Sequence, residues 1–255
     1  MQENKLNQTL NSGKTVIGPF LKLSDPTVVE IAGLAGFDFV IIDMEHGPHS
    51  IETAQNLVRA AEVRGITPII RVTENNPGLI LRALDIGAQG VQVPQVSKMA
   101  DVKKTVEAAK FYPTGNRGVC RFVRAADYSL TDRFEYFRKA NRETTVIVHI
   151  EGVEGMNNLP QILTVPGLDV VFLGPYDLSQ SCGVPGEVDH PKVIEKMKQA
   201  IEIAKKENIV VGTFVDTVET GKKWMSLGVQ YISFSVDAGI FYQACSDIVK
   251  QLKTS

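Results

Sequence analysis

A short, nearly continuous apolar run followed by a longer helix-type segment recurs along the whole chain, and the run occurs eight times. Runs of this kind, rich in valine and isoleucine, are typical of parallel strands that helices cover from outside. Strands and helices that alternate in this way predict an α/β fold whose sheet closes into a (β/α)8 TIM barrel. The predicted strands are 15–21, 38–43, 67–72, 90–93, 145–151, 169–174, 209–215 and 229–235.

The segments between the runs carry apolar residues three and four positions apart, which is the spacing of amphipathic helices. The predicted helices are 27–35, 51–64, 78–86, 100–110, 190–207, 218–227 and 240–252. Capping side chains before prolines, as at Asp25-Pro26, indicate helix starts, and glycines such as Gly65 and Gly228 indicate helix ends. An open doubly wound sheet is the alternative, but no G-x-G-x-x-G turn favours it.

Two segments are longer than ordinary barrel connections. Residues 111–142, which contain YPTGNRG, separate the fourth and fifth runs, and residues 179–189 follow the sixth run. Long loops in compact domains are commonly functional or oligomeric. We expect both segments at the carboxyl ends of strands, where barrel active sites lie.

Length and charge agree with one barrel domain over residues 1–255, in which residues 1–13 form an N-terminal extension. The 27 basic and 29 acidic residues are spread along the chain, which predicts neither a nucleic-acid partner nor a membrane partner. The first ten residues lack the apolar core of a signal peptide, and no apolar run reaches the roughly 20 residues that span a bilayer. Three widely spaced cysteines predict no disulfide framework. We therefore expect a cytoplasmic protein.

Polar and charged side chains stand at the predicted carboxyl ends of the strands. They are Asp43, Glu45 and His46 after strand two, Arg71 on strand three, His149 and Glu151 on strand five, and Gly174, Tyr176 and Asp177 after strand six. Because the carboxyl ends of parallel barrel strands meet at one face, we expect these side chains to cluster. Buried charges are costly unless they are paired or bind a metal, so the cluster predicts a functional site.

Glu151 and Asp177 follow consecutive strands, so their carboxylates are expected close together. Two converging carboxylates repel each other unless a proton or a cation lies between them. Oxygen ligands with open coordination positions favour Mg²⁺ or Mn²⁺, and these two residues are therefore the predicted metal ligands. The alternative is that one of them is a surface or salt-bridging carboxylate.

The segment DMEHG places His46 three residues after Asp43. A carboxylate that accepts a hydrogen bond from one imidazole nitrogen raises the basicity of the other, so the pair predicts a catalytic base with Asp43 orienting it. Arg71 is the predicted partner of a developing oxyanion, because its guanidinium stays charged. The alternatives are a solvated His46 and an Arg71 that forms an ion pair with Asp43 or Glu45.

The segment GPYDLS after strand six predicts an anion site. Gly174 permits close approach, and a helical turn would present the amides of Tyr176 and Asp177 to a substrate carboxylate; a plain β-turn is the alternative. His149 is either a further ligand or substrate contact, or a histidine stacked inside the barrel and hydrogen-bonded to a neighbour. Glu45 is either an outer residue of the site or a structural partner.

Several of these segments resemble a known family. DFVIIDMEHGPHS, PIIRV, YPTGNRGV, IVHIEGVEGMNNLPQIL and DVVFLGPYDLS occur in the order found in the HpcH/HpaI aldolase family. The resemblance runs from about Lys14 to Leu252. It implies metal ligation by Glu151 and Asp177, His46 as base with Asp43 orienting it, enolate stabilisation by Arg71, and pyruvate binding at the amides of Tyr176 and Asp177.

The same resemblance implies an activity and an assembly. A class II pyruvate aldolase uses a divalent metal, Mg²⁺, Mn²⁺ or Co²⁺, and cleaves a 4-hydroxy-2-oxo acid to pyruvate and an aldehyde. The family is usually a homo-hexamer, a trimer of dimers in which a C-terminal helix, here 240–252, packs on a neighbouring subunit. The sequence departs from the family at His149, where glutamine is frequent, and at Tyr176, where alanine is frequent.

Three other functions are alternatives to a class II pyruvate aldolase. A class I aldolase needs a Schiff-base lysine, and Lys22 is the lysine that stands at a predicted strand end. A citramalyl- or malyl-CoA lyase would need a basic cleft to bind CoA. The net charge of −2 does not favour such a cleft. The third rival is a non-catalytic barrel that binds a small carboxylate.

Overall fold

The computed structural model describes residues 2–253 and shows a closed parallel barrel of eight strands in chain order, β1 to β8. The predicted TIM barrel is therefore confirmed. The strands are β1 (Val16–Leu21), β2 (Phe39–Asp43), β3 (Thr67–Arg71), β4 (Gly90–Val93), β5 (Thr145–Ile150), β6 (Val170–Leu173), β7 (Val210–Val215) and β8 (Tyr231–Val236). Each lies within two residues of its predicted bounds.

Helices surround the barrel, and the seven predicted ones are all present. The helices are α1 (Lys5–Asn11), α2 (Pro26–Leu34), α3 (Ile51–Arg64), α4 (Pro77–Asp85), α5 (Met99–Ala109), α6 (Arg133–Glu143), α7 (Val153–Ile162), α8 (Pro175–Ser181), α9 (Pro191–Lys206), α10 (Val218–Ser226) and α11 (Asp237–Lys253). The sequence predictions omitted α1, α6 and α7, and expected only a helical turn where α8 lies.

Caps explain why several helices begin where they do. The side chains of Asp25 and Asn76 accept hydrogen bonds from the amides of Thr27 and Gly78, and each is followed by a proline at the first helical position. At the other end of α3, Gly65 adopts a left-handed conformation with φ of 66°.

The barrel interior and the layer between strands and helices form two hydrophobic cores. The interior contains Phe20, Phe39, Phe172 and Tyr231, and the Phe39 and Tyr231 rings stack with centroids 4.2 Å apart. The outer layer is built mainly of Val, Ile, Leu and Ala side chains from strands and helices. Burial of this apolar surface is the main force that holds the helices against the barrel.

The N-terminal extension predicted at residues 1–13 is part of the fold where it is described. Helix α1 buries Leu6 and Leu10 against the interior core. The buried Asn4 side chain donates hydrogen bonds to the carbonyls of Gln89 and Glu143, which lie just before β4 and β5. The segment therefore closes the amino-terminal end of the barrel and contacts the residues that precede β4 and β5.

The prediction that residues 111–142 lie at the carboxyl ends of the strands is wrong. Helix α5 follows β4 and returns the chain to the opposite face before this segment starts. Within it, Arg124 donates to the carbonyl of Ile86 and pairs with Glu62, both at the C-terminal ends of helices α4 and α3. The segment, which holds a kinked 3-10 turn (Arg124–Ser129) and α6, thus packs on the amino-terminal side.

No helix within residues 2–253 is long and apolar enough to cross a membrane.

Candidate active site

A cavity of about 340 Å³ opens at the carboxyl ends of the strands, where the sequence predicts the functional site. Its walls bring together six of the predicted site residues, which come from β3, the end of β5 and the segment after β6. They are Arg71, His149, Glu151, Gly174, Tyr176 and Asp177. The structure therefore places these residues around one cavity.

Arg71 and Asp43 form a buried, two-pronged ion pair at the barrel mouth. The two residues are register partners on β3 and β2. Arg71 Nε lies 2.8 Å from Asp43 Oδ1, and Nη2 lies 2.6 Å from Oδ2. Lys22, just after β1, also pairs with the Asp43 carboxylate. Burial acts to raise the pKa of Asp43, but Arg71 and Lys22 outweigh it and hold that pKa well below its usual range.

The predicted contact between the Asp43 carboxylate and the His46 imidazole is wrong. Asp43 Oδ1 accepts hydrogen bonds from the backbone amides of Glu45 and His46, and its remaining acceptor capacity goes to the two cations. The His46 side chain is 66% exposed, and its Nε2 lies 3.9 Å from Glu45 Oε2. The nearest carboxylate to the imidazole is thus that of Glu45, and His46 lies at the rim outside the cavity wall.

Glu45 is the second carboxylate that faces Arg71. Its Oε2 lies 3.0 Å from Arg71 Nη1, so the guanidinium is held by two acidic side chains. Burial raises the pKa of Glu45, the charge of Arg71 acts against this, and the nearby charge of Glu151 adds to the increase. Arg71 therefore forms ion pairs with both Asp43 and Glu45, as the alternative interpretation of this residue expects. These pairs fix the guanidinium at the cavity wall.

Glu151 lies directly after β5 and points into the cavity. Its Oε1 accepts a hydrogen bond of 2.6 Å from the amide of Gln95, whose backbone is left-handed with φ of 56°. Gly174 leaves room for the carboxylate, because a Cβ at that position would lie 2.8 Å from Glu151 Oε2. Burial acts to raise the pKa of Glu151, but His149 and the Gln95 amide outweigh it, and the pKa is lowered.

His149 is stacked inside the barrel and belongs to a chain of hydrogen bonds. Its ring lies against Phe172 with centroids 4.5 Å apart. The Tyr231 hydroxyl donates to Gln92 Oε1, which leaves Gln92 Nε2 to donate to His149 Nε2. The imidazole proton is therefore on Nδ1, which donates to Glu151 Oε2 at 3.1 Å.

Asp177 offers a carboxylate with no protein partner among residues 2–253. It lies in the first turn of α8 and shares the cavity wall with Glu151. No group of three or more His, Cys, Asp or Glu side chains with metal-ligand geometry occurs among those residues. Two ionised carboxylates with open positions nevertheless fit Mg²⁺, which commonly binds one or two protein carboxylates and completes its shell with water and substrate.

Helix α8 begins at Pro175, as the predicted helical turn requires, and the β-turn alternative is wrong. The amides of Tyr176 and Asp177 lie in its first turn, where backbone amides have no intrahelical acceptor. The half-exposed Tyr176 side chain turns away from this point, and its hydroxyl donates to Asp216 Oδ2 at 2.7 Å. This hydrogen bond raises the pKa of Tyr176 to about 12.

The sequence gives no indication of the role of several residues of the site. Lys22, Gln92, Tyr231 and Asp216 all take part in the contacts described above. Gln92 stood at a predicted strand end, but nothing in the sequence indicated its bond to His149. Asp216 follows a predicted strand directly, which is the signal that would have placed it at the mouth of the barrel.

Comparison with known proteins gives one consistent result. The family model described as HpcH/HpaI aldolase/citrate lyase matches residues 16–244. The 4-hydroxy-2-oxo-heptane-1,7-dioate aldolase of Escherichia coli (strain ATCC 8739) is 34% identical over 243 residues, which cover 95% of this chain and 92% of that relative.

Two solved structures are similar over nearly their whole length. The HpcH/HpaI aldolase/citrate lyase family protein of Burkholderia cenocepacia J2315 is 30% identical, with a TM-score of 0.94 and coverage of 98% of this chain and 100% of that one. The citrate synthase SbnG is 33% identical, with a TM-score of 0.88 and coverage of 97% of each chain.

Proposed function

The chain belongs to the HpcH/HpaI aldolase/citrate lyase family, and on that basis we propose that it is a divalent-metal-dependent pyruvate aldolase. It cleaves a 4-hydroxy-2-oxo acid to pyruvate and an aldehyde. The observation that carries the proposal is the cavity that Glu151 and Asp177 share with Arg71 at the carboxyl end of the barrel. Two anionic oxygen ligands beside one fixed cation suit a substrate that develops negative charge.

Glu151 and Asp177 are the residues that would hold the metal. Support comes from the lowered pKa of Glu151, the space that Gly174 leaves for its carboxylate, and the lack of a protein partner for Asp177 among the described residues. A bound Mg²⁺, Mn²⁺ or Co²⁺ supplies Lewis-acid stabilisation of the 2-oxo group and orients the substrate.

Arg71 stabilises the enolate that forms when the carbon–carbon bond breaks. Asp43 and Glu45 hold its guanidinium in place, and the Phe20 ring lies 4.6 Å from its central carbon. A guanidinium fixed in this way needs little reorganisation when negative charge develops near it. Asp43 acts here as a positioning residue for Arg71.

The substrate carboxylate is proposed to bind at the start of α8. Gly174 allows close approach, and the amides of Tyr176 and Asp177 point toward a group placed there. His149 completes the wall behind Glu151, where it orients the ligand and contacts the substrate side of the cavity.

His46 is the proposed base. It lies after β2 at the rim, with Glu45 as its nearest carboxylate. The 4-hydroxyl proton passes to the imidazole, the C3–C4 bond breaks, and its electron pair forms the enolate of pyruvate. The aldehyde leaves, and the proton taken up by His46 returns to C3, which gives pyruvate and restores the base.

A Schiff-base mechanism at Lys22 is the first rival to exclude. An attacking lysine needs a free amine, whereas the side-chain nitrogen of Lys22 is engaged in an ion pair with the buried Asp43 carboxylate. Two treatments of the enzyme separate the mechanisms. Chelation should abolish pyruvate release from a 4-hydroxy-2-oxo acid, and Mg²⁺, Mn²⁺ or Co²⁺ should restore it. Inactivation by borohydride with pyruvate, with no effect of chelation, would contradict the proposal.

Assays on the same purified enzyme distinguish the aldolase from the two remaining alternatives, a CoA lyase and a non-catalytic carboxylate binder. Assays of citramalyl-CoA and malyl-CoA cleavage test the CoA-lyase alternative. Cleavage of either thioester without aldol cleavage would overturn the aldolase proposal. A barrel that binds pyruvate but catalyses neither reaction would be the non-catalytic carboxylate binder.

We also infer a homo-oligomer, with a trimer of dimers as the expected form. Helix α11 buries little more than Asp237 within its own chain, and Phe241, Tyr242 and Leu252 are exposed. A nearly uncharged groove of about 310 Å³ separates α11 from α2. An apolar face of this kind is typical of a subunit interface.

A cytoplasmic location is proposed as well, supported by three cysteines that form no disulfide.

A further inference from the structure

The cavity has a wall that the proposed chemistry leaves unused. Asp216 follows β7 and Arg71 ends β3, and these strands lie four apart in the eight-stranded barrel, on opposite sides. With the carboxylate of the substrate at the start of α8 and its 2-oxo group between Arg71 and Glu151, the part of the wall left for the aldehyde half contains Asp216 and its neighbours. The environment of that half is then set by the residues on that wall.

That wall has an apolar surface and one polar end. Phe20, Phe214 and Val236 provide the apolar part. The polar end is the Tyr176–Asp216 pair, and the Tyr176 ring packs edge-on against Phe214 with centroids 6.0 Å apart. The hydroxyl donates to Oδ2 of Asp216, and Oδ1 has no hydrogen-bond donor among residues 2–253. Because Asp216 lines the cavity, this oxygen is available as an acceptor for a substrate hydroxyl.

The charges of the cavity are not balanced on that side. Lys22 and Arg71 pair with Asp43, and Arg71 also pairs with Glu45, so these two cations face two carboxylates. Asp216 forms no ion pair with a Lys, Arg or His of the described chain, and Tyr176 contributes only a neutral hydroxyl. An aldehyde that carries its own carboxylate would therefore place like charges near each other, which is unfavourable.

We propose that Asp216, positioned by Tyr176, is a specificity determinant that selects a neutral, hydroxylated aldehyde and discriminates against an aldehyde with a second carboxylate. This inference depends on the proposed aldolase function. It sets the chain apart from the relative whose name specifies a heptane-1,7-dioate, a substrate with a carboxylate at its far end.

The test compares two acceptors in the aldol direction, with pyruvate as the donor. Glyceraldehyde is neutral and hydroxylated, and succinic semialdehyde carries a carboxylate. The quantity measured is the ratio of kcat/KM for succinic semialdehyde to that for glyceraldehyde, which cancels any general loss of activity. Asp216 is exposed, so Asp216→Asn removes the charge without disturbing the core.

Asp216→Asn should raise this ratio about fivefold, the effect of one charge pair in contact with water. Glu202→Gln, which removes a charge from the exposed side of α9, should leave the ratio unchanged. Tyr176→Phe keeps the Asp216 charge but removes the hydroxyl that positions it, and should raise the ratio by less than Asp216→Asn. An unchanged ratio in Asp216→Asn, or an equal rise in Tyr176→Phe, would overturn the proposal.

Salt provides a readout that a purely steric role would not affect. Screening should raise the wild-type ratio between low salt and about 1 M salt, and Asp216→Asn should lose this dependence. Failure of the underlying function is visible separately, because wild-type enzyme with pyruvate and metal should exchange the methyl protons of pyruvate without any aldehyde. Exchange with an unchanged ratio rejects only the inference, whereas no exchange rejects the aldolase function itself.

Discussion

His149 connects the barrel interior to the proposed metal site. Its Nδ1 donates to Glu151 Oε2 at 3.1 Å, and Gln92 fixes the tautomer from the other side. Groups that orient a metal ligand in this way commonly affect metal affinity by about 10- to 100-fold. We therefore expect His149→Ala to weaken Mn²⁺ binding by a factor in that range, as measured by calorimetry.

The matched variant for this prediction is His149→Gln. Glutamine keeps an N–H group that can reach Glu151 and fits a position where the family frequently has it. Its loss of Mn²⁺ affinity should be smaller than that of His149→Ala. Equal affinities of both variants and the wild type would show that the hydrogen bond to Glu151 does not position the ligand.

Asp43 gives a prediction about pH and stability. Its pKa in the folded protein lies below the unfolded value of about 3.9, so the stabilisation is complete above that pH and is lost as the pH falls further. Asp43→Asn leaves Arg71 and Lys22 without their shared carboxylate and should lower the free energy of unfolding at pH 7 by about 3 kcal/mol.

Urea unfolding at pH 7 and below pH 4 measures both effects. The wild type should lose stability at acid pH more steeply than Asp43→Asn, which has no carboxylate left to protonate. Asp189→Asn, at a side chain that is 80% exposed, is the control and should match the wild type. Parallel pH curves for the wild type and Asp43→Asn would contradict the assignment.

The sequence predicted which residues form the site better than it predicted their partners. Position at a strand end is local information, and it placed Arg71, Glu151 and Asp177 on one cavity wall. The D-x-x-H spacing led to a wrong contact for Asp43, because its cations come from β3 and from Lys22 after β1. Contacts between strands depend on the register, which spacing within one segment does not contain.

At the level of elements, Arg124 fastens residues 111–142 to the amino-terminal side of the barrel. Its Nη1 lies 2.9 Å from Glu62 Oε1 and 3.2 Å from the carbonyl of Ile86, and its other terminal nitrogen also pairs with Glu62. The hydrogen bonds that Arg124 donates to Glu62 raise the pKa of Arg124. Arg124→Met should therefore cost about 1–2 kcal/mol, given that the pair is partly exposed.

Hydrogen exchange gives a local measure of the same change. Amides of the 3-10 turn and the adjoining loop should exchange faster in Arg124→Met, while those of the strands stay protected. The control is Arg121→Met, since the Arg121 guanidinium lies over the neighbouring Phe122 ring, 4.7 Å from its centroid. Loss of protection in the control alone would contradict the anchoring role.

Elements were predictable where their pattern was strong. The eight β-branched runs and the long amphipathic helices were identified from the sequence, and their bounds shifted by only a few residues. Helix α1 has only seven residues and two buried leucines, which is too short for a periodic pattern to be recognised. The predicted position of residues 111–142 is wrong because α5, which precedes this segment, returns the chain to the amino-terminal face of the barrel.

For the whole molecule, the apolar groove between α2 and α11 gives a prediction about assembly. Leu34 and Phe241 are both exposed in the single chain, at 70% and 68%. The double variant Leu34→Glu with Phe241→Glu would place charges in a subunit interface and should shift the protein to smaller species in sedimentation. Val63→Glu, at an exposed apolar residue on α3, is the control. A wild-type monomer would contradict the inferred oligomer.

We propose that Glu151 and Asp177 bind a divalent metal that allows this barrel to form the enolate of pyruvate. Exchange of the pyruvate methyl protons in deuterium oxide, followed by NMR, tests this step alone, because it requires neither an aldehyde nor its identity. We expect exchange with Mg²⁺, Mn²⁺ or Co²⁺, none after chelation, and a loss of at least about 100-fold in Glu151→Gln. Exchange that survives chelation, or that is as fast in Glu151→Gln as in the wild type, would contradict it.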